Sequence, residues 1–241
     1  MKVEKSPEMA PRKTVYVVPL LLLLLSPPAF AFPPYRSTDA ETAEPWVLEV
    51  RLGLLRVERE RSDTTYSSPL LRLNLGLPRN LELVNEFEYR TDRGEAADAA
   101  SGLKWVPCLR AASLGIETIA LLPVADGSSG TGVESQLLLT VRRRGWRAHV
   151  NAGGFYDARP ADSEAGWRSS VLTELPRGRF RPGLELFFKQ TNDGPVQVSA
   201  GSGIIFDAGP FDLRLGLETG ITGEATDLRA SVWIARAFPL R

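Results

Sequence analysis

The chain has 241 residues, 43% of them hydrophobic, and its 29 basic residues balance 29 acidic ones. Balanced charge argues against a nucleic-acid partner, which favours a basic surface. With one cysteine and one histidine, no internal disulfide can form, and neither a metal site nor a cofactor site can be argued.

Residues 1–31 have the organisation of a signal peptide. An apolar run from Val15 to Leu25 follows a basic stretch, and Ala29-Phe30-Ala31 has the small-residue pattern of a signal-peptidase site. The run is shorter than the roughly 20 apolar residues that a membrane-spanning helix needs, although an uncleaved anchor helix is the alternative. We predict export, cleavage after Ala31, and a periplasmic N-terminal segment over residues 32–45.

Beyond residue 45, apolar residues alternate with polar residues or glycine. The alternation is clearest over residues 46–54, 71–77, 81–90 and 211–218, where one face of each segment is apolar and the other polar. A period of two predicts β-strands rather than helices. It fits a membrane barrel with an apolar exterior and a polar lumen, and also a soluble periplasmic β-sandwich, which is the competing fold.

The spacing of the connections favours the barrel. Short periplasmic turns alternating with longer outer loops are typical of outer-membrane barrels. Longer connections are predicted at residues 61–68, 91–100, 123–132, 157–166, 191–195 and 220–226, and shorter ones at 77–80, 107–112, 143–145, 181–183 and 207–210. Residues 46–241 are therefore predicted to form an all-β, closed antiparallel transmembrane barrel of about twelve strands in the bacterial outer membrane.

The last strand carries a second signature. Apolar residues share one parity from Leu228 to Phe238, with Arg236 as the exception. This resembles the final strand that the barrel-assembly machinery recognises in outer-membrane proteins, although Pro239-Leu240-Arg241 follows the terminal aromatic. Aromatic rings concentrate at the lipid–water interfaces, so the candidates for two aromatic girdles are Trp46, Tyr89, Trp105, Trp146, Trp167, Phe188 and Phe238.

Three stretches resemble one family of outer-membrane proteins. Residues 122–132, residues 194–201 and Gly209-Pro210-Phe211 look like the outer-membrane transporters named for the meta-pathway of phenol degradation. Val124-Ala125 departs from that family's usual threonine–glycine pair. The resemblance implies a barrel of similar length and a channel for small solutes, including hydrophobic or aromatic ones.

The polar parity of the predicted strands defines a lumen. A charged residue facing lipid at the bilayer midplane costs about 2–4 kcal/mol, so charged residues of this parity are predicted to face inward. The lumen-lining candidates are Glu49, Arg51, Arg72, Asn74, Glu82, Glu86, Glu88, Glu117, Gln136, Arg147, His149, Asn151, Glu185, Lys189, Gln197, Asp212, Arg214, Glu218 and Arg229. Since both signs are present, we predict ion pairs across the lumen, a residual polar passage and no strong ion selectivity.

No catalytic residue is predicted. His149 falls on the lumen parity with Arg147 and Asn151, and no base with an orienting partner can be recognised beside it. The predicted function is a passive, porin-like channel for small solutes. The alternatives are a non-conducting structural barrel that presents surface loops and, less favoured, a barrel hydrolase.

Overall fold

Every regular element in the described part of the chain is a β-strand, as the period-two alternation predicts. The computed structural model describes residues 33–125, 128–160, 162–192 and 194–240, so the predicted signal peptide lies outside the described residues. Within those ranges no helix is long and apolar enough to cross a bilayer. The strands are β1 (Val47–Glu60), β2 (Asp63–Leu77), β3 (Leu81–Arg90), β4 (Glu95–Cys108), β5 (Ala112–Leu122), β6 (Gly132–Arg143), β7 (Trp146–Asp157), β8 (Glu164–Glu174), β9 (Phe180–Thr191), β10 (Gln197–Asp207), β11 (Asp212–Gly220) and β12 (Leu228–Pro239).

These strands form one closed antiparallel barrel, in which each strand pairs with its neighbours along the chain and β1 pairs with β12. Closure leaves no edge strand, so each strand can hydrogen-bond to a neighbour on both sides, as a bilayer requires. The predicted fold class is confirmed. Because the strand number is even, β1 begins and β12 ends at the same end of the barrel, which we call the terminal end. The opposite end is the loop end.

The two faces of the wall differ as the sequence parity predicts. Outward side chains are large and apolar, and many are exposed, such as Leu137 at 59% and Leu184 at 69%. Inward positions carry charged and polar residues that are buried within the barrel, including Glu117 and Arg214. An apolar exterior around a polar interior is the arrangement that a barrel needs in lipid.

The aromatic candidates divide between the two ends of the barrel. Trp105 and Trp146 lie near the terminal end of their strands and are exposed on the outer surface, with Phe238 at the end of β12. Tyr89, Trp167 and Phe188 lie near the loop end, and Trp46 directly precedes β1. Trp233 was not among the candidates and faces the lumen, where it is 8% exposed.

Two predicted outer loops are strands instead. Most of residues 61–68 belongs to β2, whose pairing with β1 continues to Glu60 and Asp63. Most of residues 91–100 belongs to β4, which pairs with β3 from Glu95 onward. Polar residues there suggested loops, but residues at a strand end beyond the lipid can be polar on both faces.

The turn predicted at residues 181–183 lies a few residues earlier in the chain, between β8 and β9. Arg181, Pro182 and Gly183 pair with β10 inside β9. The connection is formed by residues 175–179, where Gly178 adopts a φ of 60°. Glycine reaches this left-handed conformation without a steric penalty, so it marks the turn better than the proline and glycine that follow.

Candidate functional site: the lumen and its N-terminal segment

Residues 33–45 lie inside the barrel, not in the periplasm where the sequence predicts them. We call these residues the lumenal segment. Its backbone runs along the wall and forms hydrogen bonds with four barrel side chains in turn. The Ser37, Thr38, Ala40 and Ala43 amides donate hydrogen bonds to Glu185, Asn151, Thr140 and Glu82, at 2.6, 2.8, 2.8 and 2.7 Å. These contacts lie in the terminal half of the barrel.

Glu185 and Asn151 bind the segment by more than one hydrogen bond each. Glu185 also accepts from the Arg36 amide at 3.0 Å and from the Ser37 hydroxyl. The Asn151 amide group donates back to the Thr38 carbonyl at 2.8 Å, so the two residues form a reciprocal pair. Satisfying backbone groups in this way removes the penalty of burying an irregular segment without water.

Ion pairs attach the segment to the wall at Asp39, Glu41 and Arg36. The Lys104 Nζ lies 3.2 Å from the Asp39 carboxylate and 3.4 Å from that of Glu82. The Arg142 Nε donates to Glu41 at 2.7 Å. Lys104 is 1% exposed, so its charge is compensated almost entirely by these partners. Fully buried pairs are sensitive to the loss of one member.

The other ion pair is at Arg36, where the segment reaches furthest toward the loop end. The Arg36 Nε donates to Glu218 at 2.8 Å, and its guanidinium carbon lies 4.6 Å from the centre of the Phe187 ring. Glu218 also lies 3.8 Å from Arg229. Arg36 thus joins the segment to the ion pairs of the loop-end half.

Glycines on the wall make room for the segment. A Cβ at Gly76 would lie 2.1 Å from the Glu44 carbonyl oxygen, and one at Gly216 would lie 2.5 Å from the Pro34 Cβ. A Cβ at Gly203 would lie 2.8 Å from Pro34. Distances this short are not seen between real atoms, so these positions accept the segment only as glycine.

Replacing Gly216 by alanine should therefore displace the segment. Overpacking costs about 1–3 kcal/mol, which would favour states in which Pro34 has left the wall. The measurement is the rate at which trypsin cleaves after Arg36 in the detergent-folded protein, followed by mass spectrometry. We expect faster cleavage in the Gly216→Ala variant.

Gly201 supplies the matched control on the same face. A Cβ there would meet its nearest atom at 3.6 Å, which is ordinary contact. Gly201→Ala should be cleaved at the wild-type rate. Equal cleavage after Arg36 in both variants would show that the glycines do not hold the segment.

All of the predicted lumen candidates lie on strand faces that point into the barrel. Arg72 pairs with Glu86 and, at 3.2 Å, with Glu117, so the predicted cross-strand ion pairs are present at that position. The side chains of Arg51 and Glu49 also pair, at 2.5 Å. The other candidates are Asn74, Glu82, Glu88, Gln136, Arg147, His149, Asn151, Glu185, Lys189, Gln197, Asp212, Arg214, Glu218 and Arg229.

The prediction omits several inward residues. The same parity identifies most of them, but a register shift between Gly53 and Leu55 reverses the parity of β1 before Arg56 and Glu58. Lys104 stands between Leu103 and Trp105, both of which are exposed on the outer surface. Other missed residues pair with predicted ones, as Arg56 does with Glu88. The remaining missed polar residues include Glu58, Glu134, Thr140, Arg168, Ser170 and Glu174.

His149 has two partners that the sequence does not reveal. Its Nδ1 lies 2.9 Å from the Thr140 hydroxyl, and its Nε2 lies 3.2 Å from the Glu174 carboxylate. The order hydroxyl, imidazole, carboxylate is that of a hydrolase, but Thr140 is 0% exposed and already accepts the Ala40 amide. The arrangement therefore serves to hold the lumenal segment. Within the described ranges, no group of three or more His, Cys, Asp or Glu residues is placed to hold a metal ion.

Two cavities lie in the lumen around Arg36, toward the loop end. One, of about 150 Å³, is lined by Arg36, Arg56, Glu88 and Trp233 among others. The other, of about 190 Å³, is lined by Arg36, Phe155, Arg168 and Lys189 among others. Charges of both signs face these spaces beside aromatic rings. The Lys189 Nζ, for example, lies 5.2 Å from the centre of the Phe155 ring.

Arg159, Asp157 and Asp98 form a charged cluster at the loop end. Arg159, in the connection after β7, pairs with Asp157 at 2.8 Å and with Asp98 on β4. Hydrogen bonding to Asp157 raises the pKa of Arg159, so its positive charge persists at any physiological pH. Since Asp98 on β4 and Asp157 on β7 lie on non-adjacent strands, the cluster joins strands that the barrel hydrogen bonds do not pair directly.

The closed barrel, its apolar exterior and its polar, partly occupied lumen define a porin-like outer-membrane β-barrel. No protein-family model matches the sequence, and no curated protein matches it. Solved structures show the same fold. The NanC porin has a TM-score of 0.59 at 11% identity, covering 80% of this chain and 100% of its own.

Two further structures give the same result. The COG4313 outer membrane channel from Pseudomonas putida F1 has a TM-score of 0.59 at 10% identity, with 83% of this chain and 98% of its own covered. The KdgM porin has a TM-score of 0.57 at 9% identity, with coverages of 80% and 99%. The shared fold and the lipid-facing exterior place the chain in the bacterial outer membrane.

Proposed function

We propose that the chain is a passive channel for small solutes whose conducting state requires the lumenal segment to leave the wall. The observation that carries this proposal is a polar, charged lumen containing a segment held by hydrogen bonds and ion pairs. If the segment filled the lumen permanently, the part of the wall that it does not contact would need no charged residues. Charged residues nevertheless line the wall along both halves of the barrel. The fold shared with porins supports a channel.

The finer proposal concerns the solutes. We propose that small aromatic molecules, including aromatic carboxylates, are among them. The cavities near Arg36 combine the Phe155, Phe187 and Trp233 rings with cationic groups such as Lys189. Aromatic faces bind other rings, and an ammonium or guanidinium group attracts a carboxylate.

The experiment is single-channel recording of the refolded mature chain in a planar bilayer, alongside its heat-modifiable mobility on gels. Stepwise openings by a heat-modifiable protein would support the channel. Currents in potassium chloride should show weak ion selectivity, because both signs of charge line the lumen. For the finer proposal, benzoate should permeate more readily than a neutral sugar of similar size, and equal permeation would contradict the aromatic preference.

A second candidate is a non-conducting structural barrel that presents its loops at the cell surface. The observation that favours it is the position of the lumenal segment, which fills part of the lumen in the terminal half. A heat-modifiable protein that stays silent both with and without this segment would support the structural role.

A further inference from the structure

Arg236 occupies an unusual position for a charged residue. It pairs with Val50 of β1, and its neighbours of the same parity on β12 are Ile234 and Phe238, so it belongs to the lipid-facing side of the wall. It lies three residues before Pro239, the last residue of β12. At about 3.3 Å per residue, that is roughly 10 Å of tilted strand from the terminal end, close to the headgroup region.

Two aromatic rings enclose its guanidinium. The guanidinium carbon lies 5.3 Å from the centre of the Phe211 ring and 5.1 Å from that of Phe238. Arg236 is 6% exposed although it faces outward. Cation–π contacts of this length stabilise the charge, but they do not occupy the N–H groups.

Two guanidinium nitrogens of Arg236 are buried without a hydrogen bond to the described part of the chain. Among the described residues, neither its Nε nor its Nη1 has a hydrogen-bond partner. Leaving buried donors of a charged group unsatisfied is costly, so an acceptor from the surroundings is expected. At headgroup depth on the outside of a barrel, the abundant acceptor is the phosphate of a phospholipid.

We propose that Arg236, with Phe211 and Phe238, binds the phosphate group of a membrane phospholipid. The planar guanidinium matches two phosphate oxygens, with parallel N–H groups donating to both. The two rings and Ile234 provide apolar contact for the acyl chains. The site lies outside the lumen and is therefore independent of the proposed channel function.

The test is native mass spectrometry of the full mature chain, purified in a maltoside detergent and titrated with dioctanoyl phosphatidylglycerol. We expect one lipid to bind with an affinity at least about tenfold higher than in the Arg236→Gln variant, the loss that one charge-assisted interaction implies. Arg236→Lys keeps the charge but not the two parallel N–H donors, so this variant should bind the lipid more weakly than the wild type while folding normally. Arg144→Gln, at an exposed turn of the same end, is the matched control and should bind like the wild type.

Two further ligands separate the sources of binding. Inorganic phosphate shares the headgroup chemistry without the chains, and dioctanoylglycerol shares the chains without the phosphate. Both should bind far more weakly than the phospholipid. The proposal is overturned if inorganic phosphate competes as well as the lipid, if dioctanoylglycerol binds equally, or if wild type, Arg236→Lys and Arg236→Gln retain the lipid alike.

Discussion

A chain lacking residues 33–44 is expected to give single-channel currents several-fold larger and longer-lived than those of the full mature chain. The deletion removes the amides and side chains that Glu185, Asn151, Thr140 and Glu82 bind, and water can fill the space. The barrel wall should remain closed, because none of its strand pairings involves the deleted residues. The measurement is conductance in planar bilayers, with heat-modifiable gel mobility to show that the barrel has folded.

A reversible lock provides the complementary control. The Ser37 and Ser170 hydroxyl oxygens lie 2.8 Å apart, so cysteines at both positions are near enough to form a disulfide. In a Cys108→Ser background, oxidation should suppress openings and reduction should restore them. Ser170→Cys alone, in the same background, should be insensitive to oxidation.

The outcomes separate the two candidate functions. Currents that rise on deletion and fall on oxidation would support a channel controlled by the lumenal segment. If the deletion variant is folded and silent, the channel proposal is wrong and the structural barrel stands. If the deletion leaves a conducting wild type unchanged, the pore does not pass through the space that the segment occupies.

The barrel could be predicted from the sequence because lipid and lumen impose opposite demands on alternate residues. Leu213 and Leu215 face lipid while Asp212 and Arg214 face inward, and this contrast is local enough to be visible in one strand. The alternation predicts the strands less well where that contrast fades. Around residues 61–68 and 91–100 the strands continue past the lipid, and polar side chains on both faces look like loops.

The lumenal segment could not be predicted in the same way. Residues 33–45 have no apolar periodicity, and a polar stretch after a signal peptide is most simply placed in the periplasm. Its position depends on contacts more than 100 residues away in sequence, such as Ser37 with Glu185. The space for it depends on glycines such as Gly76 and Gly216, which within a strand pattern also fit a bend or a bulge.

The contacts of His149 with Thr140 and Glu174 illustrate the same limit. The parity of β7 places His149 inward, but its partners come from β6 and β8, and strand register cannot be read from alternation alone. Only the structure shows that the Thr140 hydroxyl accepts a hydrogen bond from the Ala40 amide. Chemistry inferred from the three side chains without the lumenal segment would point to a hydrolase.

Replacing Lys104 by methionine is expected to lower the free energy of unfolding by about 3–5 kcal/mol, the usual cost of removing one member of a buried ion pair. The reason is that the buried Asp39 and Glu82 carboxyl groups would lose the ammonium that lies 3.2 and 3.4 Å from them. Lys104 also donates to the Glu41 carbonyl at 3.0 Å, so the segment loses a hydrogen bond as well. Urea unfolding in lipid vesicles, followed by tryptophan fluorescence, measures the change.

The same substitution in the chain lacking residues 33–44 should cost much less. There Asp39 is absent and Glu82 faces water in the emptied lumen, where an unpaired carboxylate is well solvated. The difference between the two backgrounds gives the coupling between Lys104 and the lumenal segment. Equal losses in both backgrounds would mean that Lys104 stabilises the barrel wall itself, and that its pairing with Asp39 does not hold the segment in the lumen.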